Sequence, residues 1–501
     1  MKVILITTDD HTLGIQGVAA ILREGRGIEA KLFYLSSHLE EYPSDVLRRI
    51  LNAFAREIEE ESCVLMGFHL KELSLSKTLQ LAQAARSRFS DRVVLVAGGS
   101  YTASFQERLL DIFDSVVVGG GEGLLRVVDA LRSGEKLSER TIVNPFTSYV
   151  YPVFPEGGVL NLHTKGGLVR SGRRPLVHAQ YARKNSLEIM LETGCGGSCS
   201  FCEVSALRRI FGEEYRVNLS DPEKAVSLIA RVLSESNSSL IEYIYFFDED
   251  FLLKPESWIR SFSESYERRV GLPFFIFSTP ISVIAFEEKL RLLGNIGLDT
   301  VNIGVQTGSQ RIARGIFKRK ETREEAVSAG EILFRLHNEG VISSPPMLDF
   351  IILNPYESSS DMLETIELIR RLPVPFEAAM HCMSFFRGTP LYERAVAEGV
   401  IPEDYVFRYD LHDFMSRVRT NEFRLDFRGS DRDWLLYNAI LYGMNGAHRH
   451  EGGERVLGSV SETSLSRYME SAMSFEDILA FANRAPNPMD GAVFHWERNY
   501  V

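Results

Sequence analysis

SLEIMLETGCGGSCSFC, residues 186–202, decides the fold of the central part of the chain. Its first half is an apolar run typical of a buried strand, and its second half is a glycine-rich loop with Cys195, Cys199 and Cys202. Three thiolates spaced CxxxCxxC suit a four-iron four-sulfur cluster, which leaves one iron open for a small ligand. The alternative is structural zinc, which needs a fourth protein ligand that the neighbouring sequence does not supply.

The stretch opens a series in which apolar runs alternate with helical patterns. The later runs are EYIYFFDED, FFIFSTP, DTVNIGVQTG, PMLDFIILN and EAAMHCMSFF. Six strand–helix repeats predict a partial (β/α)6 barrel of the TIM type over residues 186–400, with its active site where the strands end.

A similar alternation precedes the barrel. The runs VILITT, AKLFYL, VLMGFHL, VVLVAGG and SVVVGG predict an α/β, doubly wound, Rossmann-like sheet over residues 1–135. Residues 136–185 carry Pro, Gly and clustered Arg, and we predict a linker there with one hairpin. Residues 401–501 are predicted to form a C-terminal mixed or helical extension, whose role the pattern does not indicate.

The composition and the opening residues argue against several classes of protein. The 68 acidic and 56 basic residues give a net charge of −12, which repels nucleic acid and argues against it as a partner. Five cysteines in 501 residues do not make a disulfide framework, and Cys63 and Cys382 are predicted to be core residues. The opening MKVILITTDD is too short an apolar run for a signal peptide or a membrane span, so we expect a cytoplasmic protein.

The cysteine motif resembles that of the radical S-adenosylmethionine (SAM) superfamily, CxxxCxΦC, with Phe201 as the aromatic residue. The resemblance implies that the open iron chelates the amino and carboxylate groups of SAM. An electron from the cluster then splits SAM and gives a 5′-deoxyadenosyl radical. It also implies an electron donor such as a flavodoxin or a ferredoxin.

Later strand ends extend this resemblance. FFDEDF is similar to the family's FxDDxF strand end, which places Asp248 and Glu249 near the SAM amino group. FSTP places Ser278 at another strand end, and NIGVQTGSQR resembles the GIESGS segment with Gln306 in place of the usual glutamate. LDFIILNPYES and FFRGTPLYE resemble later motifs of the family. Taken singly, each segment is also compatible with ordinary turn chemistry, and the acidic one with a solvated turn.

The N-terminal region resembles the cobalamin-binding domains that are fused to radical SAM barrels. Asp9, His11 and Gly14 form a DxHxxG motif, in which the histidine can ligate cobalt and the aspartate orients it. The other residues with this resemblance are Gly98, Gly99, Gly119, Gly121 and Glu122. His69 departs from the family, which often has Ser or Gly there. The alternative for His11 is a solvent-facing place in a helix-capping turn.

Together the two resemblances imply a cobalamin-dependent radical SAM C-methyltransferase that acts on a small molecule of unknown identity. A radical SAM cyclase or rearrangement enzyme of the same architecture remains open, as does a non-catalytic cobalamin or SAM sensor. His381 and Cys382, on the last predicted barrel strand, are candidates for delivering or removing hydrogen, although a strand cysteine is more often a packing residue.

Overall fold

The computed structural model describes most of the first 403 residues and one later strand. The described residues are 1–8, 13–35, 41–58, 63–71, 74–104, 106–135, 139–144, 159–163, 168–172, 186–193, 195–212, 217–218, 221–235, 241–352, 354–403 and 422–427. They form two large sheets with helices packed on them.

The first sheet has the order β6-β5-β4-β3-β1-β2-β7-β8. Its strands are β1 (Lys2–Thr7), β2 (Lys31–Tyr34), β3 (Val64–His69), β4 (Val93–Gly98), β5 (Ser115–Gly119), β6 (Thr141–Asn144), β7 (Val159–His163) and β8 (Leu168–Gly172). All neighbours pair in parallel except β7 and β8, which pair antiparallel. The chain leaves β1 towards β2 and returns to β3 on the other side, so the switch point lies between β1 and β3.

Helices cover both faces of this sheet and bury its Val, Ile and Leu side chains. They are α1 (Leu13–Arg26), α2 (Ser44–Ile58), α3 (Leu75–Phe89), α4 (Gln106–Leu109) and α5 (Gly123–Ser133). One core lies against α2 and α3, and the other lies against α1 and α5. The predicted doubly wound sheet is therefore confirmed.

The first sheet continues beyond residue 135. β6, β7 and β8 lie within residues 136–185, which the sequence predicted as a linker with one hairpin. β7 and β8 do pair as an antiparallel hairpin, but β7 also adds to the edge of the sheet beside β2. These strands are short and lie among Pro, Gly and Arg, so they lack the long apolar runs that predicted β1 to β5.

The second sheet has the order β17-β16-β15-β14-β13-β12-β9. Its strands are β9 (Ser186–Ile189), β12 (Tyr243–Phe246), β13 (Phe274–Ser278), β14 (Leu298–Gln306), β15 (Met347–Ile352), β16 (Phe376–Cys382) and β17 (Glu422–Phe427). The first six pair in parallel in chain order, as predicted for a partial barrel. β17 pairs antiparallel with β16, and β10 (Glu192–Thr193) with β11 (Val217–Asn218).

Helices pack on one face of the second sheet and form the largest core. The helices of this part of the chain are α6 (Glu203–Phe211), α7 (Pro222–Glu235), α8 (Glu256–Arg269), α9 (Pro280–Ala285), α10 (Glu287–Gly294), α11 (Arg323–Asn338), α12 (Ser359–Arg371) and α13 (Pro390–Ala397). Of these, α7 to α12 contribute to that core. Capping boxes at Thr322 and Ser358 start α11 and α12 directly after strand-end loops. Among the described residues, we find no helix long and apolar enough to cross a bilayer.

Candidate active site at the strand ends

The cysteine loop after β10 is held in place by distant parts of the chain. Ser200, in its middle, is buried and donates its amide N–H to the carbonyl of Phe317 at 2.9 Å and its hydroxyl to that of Ile316 at 2.5 Å. The carbonyl of Ser200 accepts the amide N–H of Leu391 at 2.9 Å. The loop conformation is thus fixed by segments that follow β14 and β16.

The sulfurs of the loop lie around its glycines. A Cβ added to Gly197 would lie 3.4 Å from Sγ of Cys195 and 3.8 Å from Sγ of Cys199. One added to Gly196 would meet no atom within 4 Å among the residues that the structure describes. In the described part of the chain, no three Cys, His, Asp or Glu side chains converge on the position of one metal ion. A cubane cluster does not require such convergence, because each cysteine binds a different iron. The donor set and the open space over Gly196 therefore fit a cluster.

Two arginines lie against this loop. Arg208, on α6, donates to the carbonyl oxygens of Cys195 and Gly197, the latter at 2.7 Å. Arg319, which follows β14, donates to the carbonyl of Gly304 at 2.7 Å and has Nη1 4.0 Å from Sγ of Cys199. Positive charge near thiolates stabilises their ionised form, which is the form that binds iron.

Burial raises the pKa of all three thiols, that of Cys202 to about 12. The charge of Glu249 adds to the increase at Cys195 and Cys202, while Arg319 opposes it at Cys199. Iron must therefore displace protons from these groups when it binds, and cluster assembly releases protons.

Phe201 packs edge to face against Phe317, with ring centroids 4.9 Å apart. Both rings join a small apolar cluster around Leu391 and Tyr392 of α13. Phe201 therefore anchors the cysteine loop to this apolar cluster.

The acidic turn after β12 places its carboxylates in different surroundings. Asp248 is buried, and its two oxygens accept from Lys254 Nζ at 2.6 Å and from the amide N–H of Leu191 at 3.0 Å. Lys254 is also buried and lies 3.5 Å from Glu192. Burial raises the pKa of Asp248, and Lys254 opposes this shift. The assignment of Asp248 to the cofactor stays a prediction, and the structure gives both of its oxygens protein partners.

Glu249, the next residue, is only partly buried and lies close enough to Cys195 and Cys202 for its charge to affect both thiols. Asp250 turns back into the protein and accepts from Ser278 at 2.9 Å and from Ser282 at 2.6 Å. Ser278 is thus buried and fixed at the end of β13, with its hydroxyl proton directed to Asp250.

Gln306 ends β14 in the left-handed region, with φ of +69°. The backbone of a residue other than glycine is strained in this region, and backbone strain of this kind clusters at functional sites. Its Nε2 lies 2.7 Å from the position of a Cβ on Gly304, so the amide folds over a glycine that leaves room for it. Gln306 is partly exposed at the same strand ends as Glu249.

Comparison with known proteins agrees with this arrangement. Residues 189–369, which span the cysteine loop and strands β12 to β15, match the model of the Radical SAM superfamily. The chain contains a radical SAM domain. The domain implies a four-iron four-sulfur cluster and SAM as cofactors. A search of curated proteins gave no match.

Solved structures extend the likeness beyond the radical SAM domain. OxsB, a cobalamin-dependent SAM radical enzyme solved with aqua-cobalamin and SAM bound, aligns with a TM-score of 0.55 at 13% identity over 94% of this chain and 70% of its own. TsrM, a radical SAM methyltransferase from Kitasatospora setae solved with cobalamin and a [4Fe-4S] cluster, aligns with a TM-score of 0.55 at 14% identity over 96% of this chain and 99% of its own. At these identities the likeness shows a shared fold.

Several of the residues predicted to bind cobalamin lie at the carboxyl edge of the first sheet. Asp9 and His11 lie outside the described residues. His69, at the end of β3, has Nδ1 3.3 Å from the hydroxyl of Thr7 at the end of β1, and a Cβ on Gly14 would lie 3.4 Å from its Nε2. The imidazole therefore spans the switch point between β1 and β3.

The glycines of this edge serve different purposes. Gly99 and Gly119 have φ of +109° and +91° and could not take a side chain without strain. A Cβ on Gly121 would lie 2.9 Å from Val18 of α1, so this glycine permits close helix packing, and Glu122 precedes α5 as its N-cap. Gly98 differs, because a Cβ there would meet no atom of the described part of the chain within 4 Å.

Helix α6 connects the radical SAM domain to this edge. It begins directly after Cys202, and its residues Leu207 and Phe211 are buried in the core of the first sheet. A Cβ on Gly119 would lie 2.4 Å from the ring of Phe211, and Ser100 donates to Glu203 at 3.2 Å. The last cluster cysteine is therefore one residue from a helix that packs on the first sheet.

Proposed function

We propose that this chain is a cobalamin-dependent radical SAM enzyme that methylates a carbon atom of a small molecule. The observation that carries the proposal is the position of α6, which joins the cysteine loop to the carboxyl edge of the first sheet. Ligands of doubly wound sheets bind at that edge, so a cofactor there would face the cluster loop. The bound cobalamin in OxsB and TsrM, which share this fold, supports the same assignment.

In this proposal, the residues of the chain have distinct roles. Cys195, Cys199 and Cys202 hold the cluster, and Glu249 and Gln306 bind polar groups of SAM at the strand ends. The cofactors supply a 5′-deoxyadenosyl radical and a methyl group. The protein positions them and excludes water from the space between the two sheets.

Glu249→Gln is expected to weaken SAM binding by about 10- to 100-fold while the iron content stays normal. The change keeps the size of the side chain and removes the negative charge that would strengthen a hydrogen bond from the iron-bound amino group of SAM, a bond worth roughly 1.5 to 3 kcal/mol. Equilibrium dialysis with labelled SAM, together with iron analysis, measures both quantities. Gln306→Ala should act in the same direction but less strongly, since only neutral hydrogen bonds are lost.

Asp248→Asn is the matched comparison, because it makes the same chemical change at the neighbouring residue. Normal SAM affinity with a lower melting temperature would place Asp248 in the ion pair with Lys254 alone. Weaker SAM binding at an unchanged melting temperature would place it at the cofactor. Normal SAM binding by Glu249→Gln would contradict the role proposed for Glu249.

Gly98→Leu is expected to reduce binding of hydroxocobalamin by about tenfold or more without unfolding the protein. No atom of the described residues lies within 4 Å of a Cβ on Gly98, so the added side chain should enter the space proposed for cobalamin and not the core. Retention of cobalamin through a desalting column measures the effect. Gly315→Leu is the control, since a Cβ there also meets no atom within 4 Å, but on the radical SAM domain.

Equal retention of cobalamin by both glycine variants would contradict the site, and no retention by the wild type would contradict the methyltransferase proposal. Asp9 and His11 remain proposed cofactor residues. An altered visible spectrum of bound cobalamin in His11→Ala would assign His11 to cobalt, and an unchanged one to the helix turn.

Methyl-labelled SAM tests the reaction itself. The wild-type protein, supplied with cell extract, reductant and hydroxocobalamin, is expected to give 5′-deoxyadenosine and a small molecule that carries the label. An unlabelled new product would favour the cyclase or rearrangement enzyme, and binding without any product would favour the sensor. A flavodoxin or ferredoxin is the proposed electron donor.

A further inference from the structure

The second sheet has an inner face that the helices of the described residues do not cover. Side chains alternate along each strand, and the outward-facing ones, such as Ile244, Ile276 and Ile303, lie in the helix-packed core. Their neighbours Tyr245, Phe275 and Asn302 therefore point to the inner face. Within the described residues, this inner face has an aromatic half and a polar half.

The aromatic half comes from β12, β13 and the residue after β12. Tyr245 and Phe275 stack with centroids 4.1 Å apart and planes at 11°. Phe277 meets both rings edge to face, and Phe247 lies 5.9 Å from Phe277. Phe247 and Phe277 are only partly buried, so part of each ring is exposed.

The polar half comes from β14, β15 and β16. Asn302 donates through Nδ2 to Asp349 at 2.9 Å, and Nε2 of His381 lies 3.3 Å from the same carboxylate oxygen. Asn302 is 4% exposed, and its Oδ1 has no hydrogen-bond partner in the part of the chain that the structure describes. Burying an acceptor without a hydrogen-bond partner costs free energy. A ligand that donates a hydrogen bond to Asn302 Oδ1 would remove this penalty.

The two halves are adjacent. Asn302 is the register partner of Phe277 on the neighbouring strand. The acceptor therefore lies beside aromatic faces, which also attract cations. Glu188, on β9, adds a second inner-face carboxylate next to Tyr245, its register partner. The inner face therefore favours binding of a hydrogen-bond donor or a cation over binding of an anion.

We infer that the inner face binds the substrate, and that the substrate carries a planar unsaturated ring next to an ammonium or N–H group. The ring would lie against Phe247 and Phe277, and the N–H group would donate to Asn302 Oδ1 and Asp349. This inference rests on the proposed function, since it assigns the substrate class of the same enzyme.

Three probes of similar size separate the contributions of ring and charge. They are 2-phenylethylamine, 3-phenylpropanoate with the same ring and the opposite charge, and hexylamine with the charge and no ring. Binding is measured by ligand-observed NMR on the reconstituted full-length protein, first without SAM and then with SAM added in excess. We expect 2-phenylethylamine to bind about tenfold or more tightly than either of the others. Equal affinities, or no binding of the amine, would overturn the inference, and displacement of the amine by SAM would assign the inner face to SAM.

Variants locate the binding. Asn302→Leu and Phe277→Leu are each expected to lower the affinity for 2-phenylethylamine by about tenfold. Ile281→Ala, exposed on α9 outside this face, should change nothing. Because both variants are tested, the result remains interpretable if one of them misfolds. Wild-type protein that binds iron and cleaves SAM but shows no preference among the probes would overturn this inference alone, whereas protein that cleaves no SAM would overturn the proposed function.

Discussion

Cys199→Ala is expected to lose the cluster and all reductive cleavage of SAM. A cluster with about four irons is held here by three thiolates, and removing one exposes a second iron to solvent and loss. Iron and sulfide analysis after anaerobic reconstitution measures the cluster, and chromatography of 5′-deoxyadenosine measures the cleavage. Cys63→Ala is the matched control, because Cys63 is also a partly exposed free thiol but lies at the start of β3.

The control variant should keep about four irons per chain and normal cleavage. The wild-type cluster should also be sensitive to oxygen, since one iron is open. A colourless wild-type protein that carries zinc and is fully stable without iron would contradict the assignment of the three cysteines.

Lys254→Met is expected to lower the free energy of unfolding by about 3 to 5 kcal/mol. Lys254 is 1% exposed, and its ammonium lies between the carboxylates of Asp248 and Glu192. Its removal leaves buried negative charge without a counter-charge, and methionine restores only the volume. Urea unfolding followed by two spectroscopic probes measures the change and shows whether the transition stays cooperative.

Arg260→Met is the control, since it removes a cation from an exposed helix pair with Glu256. Such pairs contribute about 0.3 to 0.5 kcal/mol. If Lys254→Met and Arg260→Met unfold at the same urea concentration, the buried ion pair does not stabilise the strand end.

The sequence predicted the fold well where its signals are local. Long apolar runs separated by helical patterns predicted both sheets, because a strand buried on both faces needs such a run. The three cysteines could be predicted as cluster ligands for the same reason, since all of them lie on one short loop. The short strands β6 to β8 gave no comparable signal, and residues 136–185 were therefore predicted as a linker.

The site was less predictable where it depends on distant partners. Asp248 and Glu249 are neighbours in sequence, yet one lies in a buried ion pair and the other near the cysteines. That difference depends on Lys254 and on the amide of Leu191, which no local pattern connects to Asp248. Position within the acidic turn alone does not indicate which carboxylate is available to a cofactor.

Some residues that contact the cysteine loop were not predicted from the sequence at all. Arg208 and Arg319 occur in segments, LRRIF and FKRKE, that look like ordinary basic helix or surface sequence. Their roles become visible only when their guanidinium groups meet the cysteine loop. The sequence of α6 also does not indicate which sheet its apolar face contacts. In the structure, Leu207 and Phe211 pack on the first sheet.

Electron paramagnetic resonance of the reduced wild-type protein, recorded before and after addition of SAM, tests the central claim most directly. We expect the signal of a reduced four-iron four-sulfur cluster, a change in that signal when SAM binds the open iron, and 5′-deoxyadenosine in the same sample. A protein without an iron–sulfur signal, or with one that SAM does not alter and no 5′-deoxyadenosine, would contradict the account.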